Sequence, residues 1–334
     1  MIPMKIEKLP SGSYRIRKMY KGQMYTVVTD HKPTQKEAIK LLAEELDKIT
    51  TSYSKLTFYN AATEYIESKR NVLSPSTIRS YMGILHNLSS TFTKKTIANI
   101  TNLDVQREIN DYSKTRSPKT VRNANGFISA VMKMFSPQTI INTTLPQNIK
   151  KSAYIPTDED VKAIITASKG SNYEIPLLLA VYGMRRSEIC ALTLDDINGN
   201  MITINKAKVQ NEHGDWIIKT TKTTDSTRAI YVPDEIINKI IQSGTIYDGD
   251  PSRISRYLAK KQSELGLPHF SLHKLRHYYA SMSHSLGIPD QYIMANGGWK
   301  TDNVLKNVYQ HAMADKQQDM LNFAAEYIRE IVIE

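Results

Sequence analysis

Hydrophobic and polar residues alternate with a period of two near the start of the chain and change to a helical period soon after. Residues 14–28, YRIRKMYKGQMYTVV, alternate on both sides of Lys21-Gly22, which predicts two strands joined by a tight turn. After Pro33, Thr34 and Glu37 stand at capping-box spacing, and Ile39, Leu42, Leu46 and Ile49 then recur on one helical face. The pattern gives a small sheet packed on one helix. Residues 50–55, TTSYSK, are polar and aperiodic and read as a linker.

From Leu56 the apolar spacing is helical in four successive stretches, residues 56–70, 74–92, 101–115 and 117–135. The second and fourth open with Ser-Pro, a cap followed by the proline that a first helical position tolerates. Ile78, Tyr81, Met82, Leu85 and Leu88 share one face, so the stretches are expected to close into a compact helical unit around that stripe. A second linker, residues 136–156, holds Pro137, Pro146 and Pro156 together with Lys150 and Lys151. Thr157, Asp158 and Asp160 then cap a helix that opens a last domain. Inside it, residues 174–181 form an apolar helix that Gly183 breaks, and residues 201–210 and 216–233 alternate as strands. Lys222 sits just before a turn over residues 223–227, in what reads as a basic hairpin. Near the end, Met320, Leu321, Phe323, Ala324 and Ile328 read as a short amphipathic helix that packs on its own domain or on a neighbouring copy.

Charge narrows the partners. The 334 residues carry 44 Lys+Arg against 33 Asp+Glu, a formal net charge of +11, which favours a polyanion: nucleic acid first, an anionic membrane surface second. A hydrophobic content of 40% suffices for buried cores, and the length favours two or three units. One cysteine, Cys190, excludes an intrachain disulfide and a cysteine-rich metal site and fits a reducing compartment. No stretch approaches the ~18 apolar residues of a membrane span, and the first residues lack a secretory pattern. The expectation is a cytoplasmic protein of a prokaryotic cell.

Candidate chemistry lies in the last domain. Residues 183–188, GMRRSE, place Arg185 in a turn with Glu188 three positions on, where a carboxylate can orient a guanidinium to grip two phosphate oxygens. Alone, such a run also describes an ordinary surface salt bridge, and Lys222 alone a solvated turn lysine. In residues 270–312, His273 and Arg276 project from one side of a helix, Trp299 follows Gly297-Gly298, and Tyr309 comes ten residues after the tryptophan.

The ordered set GMRRSE, TTKTTDSTR, HKLRH, GGW and VYQH resembles the tyrosine recombinase, or phage integrase, family, whose motif is Arg, Lys, His-x-x-Arg, His or Trp, and Tyr. The resemblance spans the chain. It implies a small α+β arm-site DNA-binding domain over residues 1–50, a three-stranded sheet plus one helix. An all-α core-site DNA-binding domain over 55–137 and a mainly helical α+β catalytic domain with a tail over 153–334 follow. By position it makes Arg185, Lys222, His273, Arg276 and Trp299 catalytic, Tyr309 the nucleophile and Glu188 a supporting residue. Most of the family has His where this chain has Trp299; indole can donate one hydrogen bond and buttress its neighbours but cannot shuttle a proton. DNA-contact candidates are Arg15, Arg17, Lys18 and Lys21 on the exposed side of the first sheet, which alone would describe a solvated face equally well. Arg79, Lys119 and Arg122 are the candidates in the helical unit.

The implied reaction is attack of Tyr309 on a DNA phosphate to give a 3′-phosphotyrosyl bond and a free 5′-hydroxyl, with Lys222 as general acid and His273 assisting proton transfer. No cofactor and no metal are implied. Implied partners are duplex DNA with core-type and arm-type sites, a homotetramer on that DNA, and an excisionase or host DNA-bending protein, in the nucleoid and away from membranes. Two alternatives stay open: relaxation of DNA in the manner of a type IB topoisomerase, and a DNA-binding regulator weak in catalysis.

Overall fold

The computed structural model describes residues 5–20, 23–147, 154–220 and 227–299, with isolated positions beyond residue 300. They form two compact units, Met1–Ile149 with Gln210–Asp215, and Lys150–Val209 with Trp216–Glu334.

The first unit opens with an antiparallel sheet in the order β1 (Lys5–Lys8), β2 (Tyr14–Tyr20), β3 (Gln23–Thr29), followed by α1 (Gln35–Ser54). The expected two strands are β2 and β3, paired from Tyr14↔Thr29 to Tyr20↔Gln23; β1, KIEK, is too short and polar to show in the pattern. The Thr34–Glu37 capping box forms, with Glu37 N donating to Thr34 Oγ1 at 3.3 Å and Thr34 N to Glu37 Oε2 at 3.4 Å. Ile16 and Tyr25 of the sheet pack on Ala38 and Leu42 of α1. Two expectations need correction. Ile39 is 48% exposed, because the buried stripe runs through Ala38, Leu41 and Leu42. The expected linker is helical to Ser54, since residues 34–55 contain no Gly or Pro to interrupt the ladder. The side chains of Leu46 and Ile49 lie outside the described residues.

The four helical stretches become α2 (Phe58–Lys69), α3 (Pro75–Asn87) with a one-turn α4 (Ser90–Thr93), α5 (Asn102–Ser113) and α6 (Pro118–Phe135). Ser117 caps α6 by accepting from Thr120 N at 3.3 Å, with Pro118 at the first helical position as expected. Ser74 occupies the same place on α3 without a capping bond. Phe58, Ile78, Leu85, Phe92, Val105, Phe127 and Ile128 centre the core, and Tyr81 stacks on Phe127 at 4.8 Å. Met82 is 41% exposed: the buried face of α3 runs through Ile78, Ile84 and Leu85, which leaves Met82 at its edge.

The second unit begins with α7 (Asp158–Ser168), closed by a Thr157–Asp160 capping box. It continues through α8 (Glu174–Val181), the single turn α9 (Arg186–Ile189), strands β4 (Ile197–Asn198), β5 (Met201–Ile204), β6 (Lys206–Gln210), β7 (Trp216–Thr220) and β8 (Arg228–Tyr231), then α10 (Asp234–Ser243), α11 (Pro251–Glu264), α12 (His273–Ser285) and α13 (Asp290–Gly297). The strands form a β4-β5-β8 sheet and a β6-β7 ribbon. Among the described residues β7 and β8 therefore belong to different sheets. Lys222 and residues 223–226 of the expected hairpin turn lie outside the described residues. Leu177, Leu179, Ile189, Ile202, Ile230, Ile254 and Leu275 bring α8, α9, the sheet, α11 and α12 onto one core. A small α+β element, a helical bundle and a mainly helical α+β unit follow one another along the chain, as expected.

Candidate active site

The turn between α8 and α9 is shaped by Gly183, whose φ of +86° lies in the left-handed region. A Cβ there would lie 2.9 Å from Tyr279 Cδ1, so glycine also lets α12 pack close. Arg185 occupies the N-cap of α9 with extended backbone. Its backbone N donates to Glu188 Oε2 at 2.8 Å and its Nη1 to Glu188 Oε1 at 2.6 Å, while Nη2 donates to the Gly298 carbonyl at 2.8 Å. Glu188 thus orients Arg185, as its spacing predicts. Burial would raise the Glu188 carboxyl, but hydrogen bonds from Arg228 and the charges of Arg228 and Arg185 outweigh it and hold the pKa below the ordinary value.

Arg276, on the first turn of α12, is 1% exposed. Its Nη1 donates to the carbonyls of Gly183 and Gly297, while Nε and Nη2 are buried with no partner among the described residues. The Trp299 ring covers the guanidinium, with Cζ 3.8 Å from the ring centroid. Burial, and then the charge of Arg185, push the Arg276 pKa down to about 9, still above neutrality, so the group keeps its charge. The backbone carbonyls of Gly297 and Gly298 hold Arg276 and Arg185 to one short stretch. Gly297 is required there because a Cβ would collide with the Trp299 ring.

His273 begins α12 and keeps solvent exposure, with its ring edge-on to His277 at 4.9 Å. Shielding from water, then the charges of Arg276, Arg185 and Lys274, lower its pKa, so the imidazole is neutral at pH 7. Four motif residues, Arg185, His273, Arg276 and Trp299, together with Glu188, therefore share one site. Lys222 and Tyr309 lie outside the described residues, as does most of the expected C-terminal helix; Ile328 within it is 59% exposed.

Sequence reasoning missed Arg228. Its Nη1 and Nη2 donate to Glu188 Oε1 and Oε2 at 3.1 and 2.7 Å, and its Nε to the Asn296 carbonyl at 2.7 Å. The available signal was its position in TTKTTDSTR, six residues past Lys222 at the start of a strand. Asn296 also escaped notice; its Nδ2 donates to Tyr279 Oη at 2.6 Å.

The DNA-contact candidates are spread. Arg15 and Arg17 lie on the sheet face opposite Ile16, and their Nη2 groups donate to Glu7 at 2.9 and 3.4 Å. Strand alternation puts Lys18 on the other face from these two, and Lys21 lies outside the described residues. Arg79 and Lys119 are exposed near the starts of α3 and α6. Arg122 donates to the Pro146 carbonyl at 2.7 Å and lines a cleft of about 490 Å³ with Ser76, Thr77, Ser80 and Asn123. Among the described residues no group of three or more His, Cys, Asp or Glu is placed to hold a metal ion, and no helix is long and apolar enough to cross a membrane.

No curated protein matches the chain by sequence. Among solved structures it is similar to the integrase of transposon Tn1549 in complex with a circular intermediate DNA, with 16% identity, a TM-score of 0.65, and coverage of 79% of this chain and 100% of that one. It is also similar to lambda integrase. As a dimer bound to a core site, that protein gives 16% identity, a TM-score of 0.57 and coverage of 92% and 95%. As a tetramer bound to a Holliday junction it gives 15%, 0.60, and 92% and 95%. At these identities the likeness is one of fold. The Phage integrase family matches residues 156–316, and the Phage integrase, N-terminal SAM-like domain matches residues 57–113. These matches take in the helical part of the chain and the later part that carries the whole motif, and the chain therefore belongs to the phage integrase, or tyrosine recombinase, family.

Proposed function

We propose that this site-specific recombinase cuts and rejoins DNA strands through a 3′-phosphotyrosyl bond at Tyr309. The observation that carries the reading is the guanidinium of Arg276. Two of its five N–H groups are spent on carbonyls, and its Nε and Nη2 edge is buried with no partner among the described residues. Leaving charged donors unpaired is costly, and two non-bridging phosphate oxygens fit that edge as a bidentate acceptor. Arg185, fixed by Glu188, supplies the second arm of the clamp.

Three guanidiniums, Arg185, Arg228 and Arg276, against the one carboxylate of Glu188 leave a local charge of +2 (3 minus 1). A phosphodiester carries one negative charge and its pentacoordinate state two, so the site favours the transition state over the ground state. Tyr309 Oη bonds to phosphorus as the bond to the 5′ oxygen breaks. Neutral His273 accepts the phenol proton, and Lys222 donates one to the departing oxygen. Attack by the 5′-hydroxyl of a second strand reverses these transfers and reseals the DNA. The roles of Tyr309 and Lys222 rest on motif position.

On this reading, duplex DNA is gripped at a core-type site by residues 55–137 and 153–334, and residues 1–54 hold an arm-type site. The lambda integrase complexes support assembly of copies on paired sites, four at the junction stage. An excisionase or DNA-bending protein would set direction. The test is Tyr309→Phe on a nicked suicide substrate: DNA binding persists and no covalent adduct forms. An adduct in that variant refutes the assignment, and an assay with two cognate sites separates recombinant joints from relaxation alone.

A further inference from the structure

We propose that Arg228 is a positioning residue for cleavage, its fork holding the Glu188 carboxylate so that Arg185 faces the scissile phosphate. The inference rests on the recombinase reading and extends it to a residue outside the motif.

Glu188 has two oxygens and about four lone-pair positions. Oε1 accepts from Arg185 Nη1 at 2.6 Å and Arg228 Nη1 at 3.1 Å; Oε2 accepts from Arg185 N at 2.8 Å and Arg228 Nη2 at 2.7 Å. Every position is filled, so the carboxylate cannot rotate without losing bonds to both arginines. The Arg185 side chain is 40% exposed, whereas that of Arg228 is 10% exposed. With its fork on Glu188 and its Nε on the Asn296 carbonyl, Arg228 has no edge left for a phosphate. It acts through its neighbours.

Those neighbours lie on both sides of the site. The Asn296 carbonyl belongs to the last turn of α13, just before the Gly297 and Gly298 carbonyls that hold Arg276 and Arg185. A Cβ on Gly298, whose φ is +66°, would stand 3.0 Å from Arg228 Nη1, so the guanidinium packs directly against this stretch. Arg228 therefore ties the strand that follows the Lys222 connection to Glu188 on one side and to the Trp299 turn on the other. Lysine in its place keeps the charge but cannot reproduce two parallel N–H bonds plus a third at a fixed angle.

The experiment measures DNA affinity and single-turnover cleavage of a suicide substrate for wild type, Arg228→Gln, Arg228→Lys, Glu188→Gln and the Arg228→Gln/Glu188→Gln double variant. Expected are affinities within about twofold of wild type, since phosphates elsewhere dominate binding, and cleavage about 100-fold slower for Arg228→Gln. Arg228→Lys should regain part of the rate. The double variant should be little slower than the slower single one, because both act on the same carboxylate. Wild-type cleavage by Arg228→Gln overturns the proposal, as do rate losses that multiply in the double variant. If Arg228→Gln does not fold, Arg228→Lys decides: slowed cleavage at unchanged affinity supports the proposal, and the wild-type rate, or parallel loss of affinity and cleavage, overturns it. Absence of an adduct in the wild type itself would sink the recombinase reading, a distinct outcome.

Discussion

Gly297→Ala adds one methyl group at the point where the clamp is assembled. The new Cβ would lie 2.7 Å from Trp299 Cη2 and nearer still to Cζ3 and Cε3. Carbon atoms in contact sit ~3.5–4.0 Å apart, so the ring must retreat by about 1 Å or more, away from its seat on Arg276. Overpacking of this kind costs about 1–3 kcal/mol, against which alanine recovers only ~0.5–1 kcal/mol of helix propensity. The catalytic unit should melt a few degrees lower, at ~2–4 °C per kcal/mol for a unit of its size. The displaced ring also gives up a cation–π contact of ~0.5–2 kcal/mol that seats the guanidinium, and a misplacement of ~1 Å in a clamp can slow the chemistry by up to ~100-fold. Calorimetry and single-turnover cleavage at saturating DNA measure the two effects. A variant that melts no lower than wild type and cleaves at the wild-type rate refutes the claim that the ring is pinned between Gly297 and Arg276.

Lys222→Ala should cleave an ordinary substrate slowly and recover when the 5′-bridging oxygen is replaced by sulfur, which leaves without a proton; equal losses on both substrates remove Lys222 as general acid. His277 is pushed down to about 4, by burial first and then by Lys274, His273 and Arg276, whereas an unfolded imidazole takes its proton near ~6.5. The unfolded chain binds more protons in that window, so this contribution to stability is complete above ~6.5 and is lost as the pH falls toward 4. His277→Gln should flatten that part of the melting curve against pH, and an unchanged slope contradicts the assignment. Deleting residues 1–54 should spare cleavage of core-site oligonucleotides and weaken retention of arm-site DNA; joint loss of both would make the first sheet part of the catalytic fold.

What could be read from the chain follows from how local each signal is. The Thr34–Glu37 box, the Ser117-Pro118 start of α6 and the four helical stretches depend on residues a turn or less apart, and they stand where the pattern puts them. Glu188 as the orienting partner of Arg185 is local in the same sense. The exposure of Ile39 and Met82 was not legible, since both have helical neighbours of equal polarity and the packing partner decides which stripe is buried. Nor was Arg228, which reaches Glu188 on α9 across 40 residues of chain from the start of β8. The His273-x-x-Arg276 spacing marks Arg276, but its burial beneath Trp299 and its hold on two glycine carbonyls arise only when α8, α12 and α13 converge.

The stacking of Trp299 on Arg276 also gives the protein a built-in optical probe. The chain has two tryptophans, Trp216 and Trp299, so Trp216→Phe leaves a single indole in contact with the charge proposed to receive the phosphate. Emission from an indole responds to the field across its ring. Occupation of the Nε and Nη2 edge by a phosphate changes that field at close range, and stopped-flow fluorescence would then time the loading of the clamp separately from the breaking of the strand.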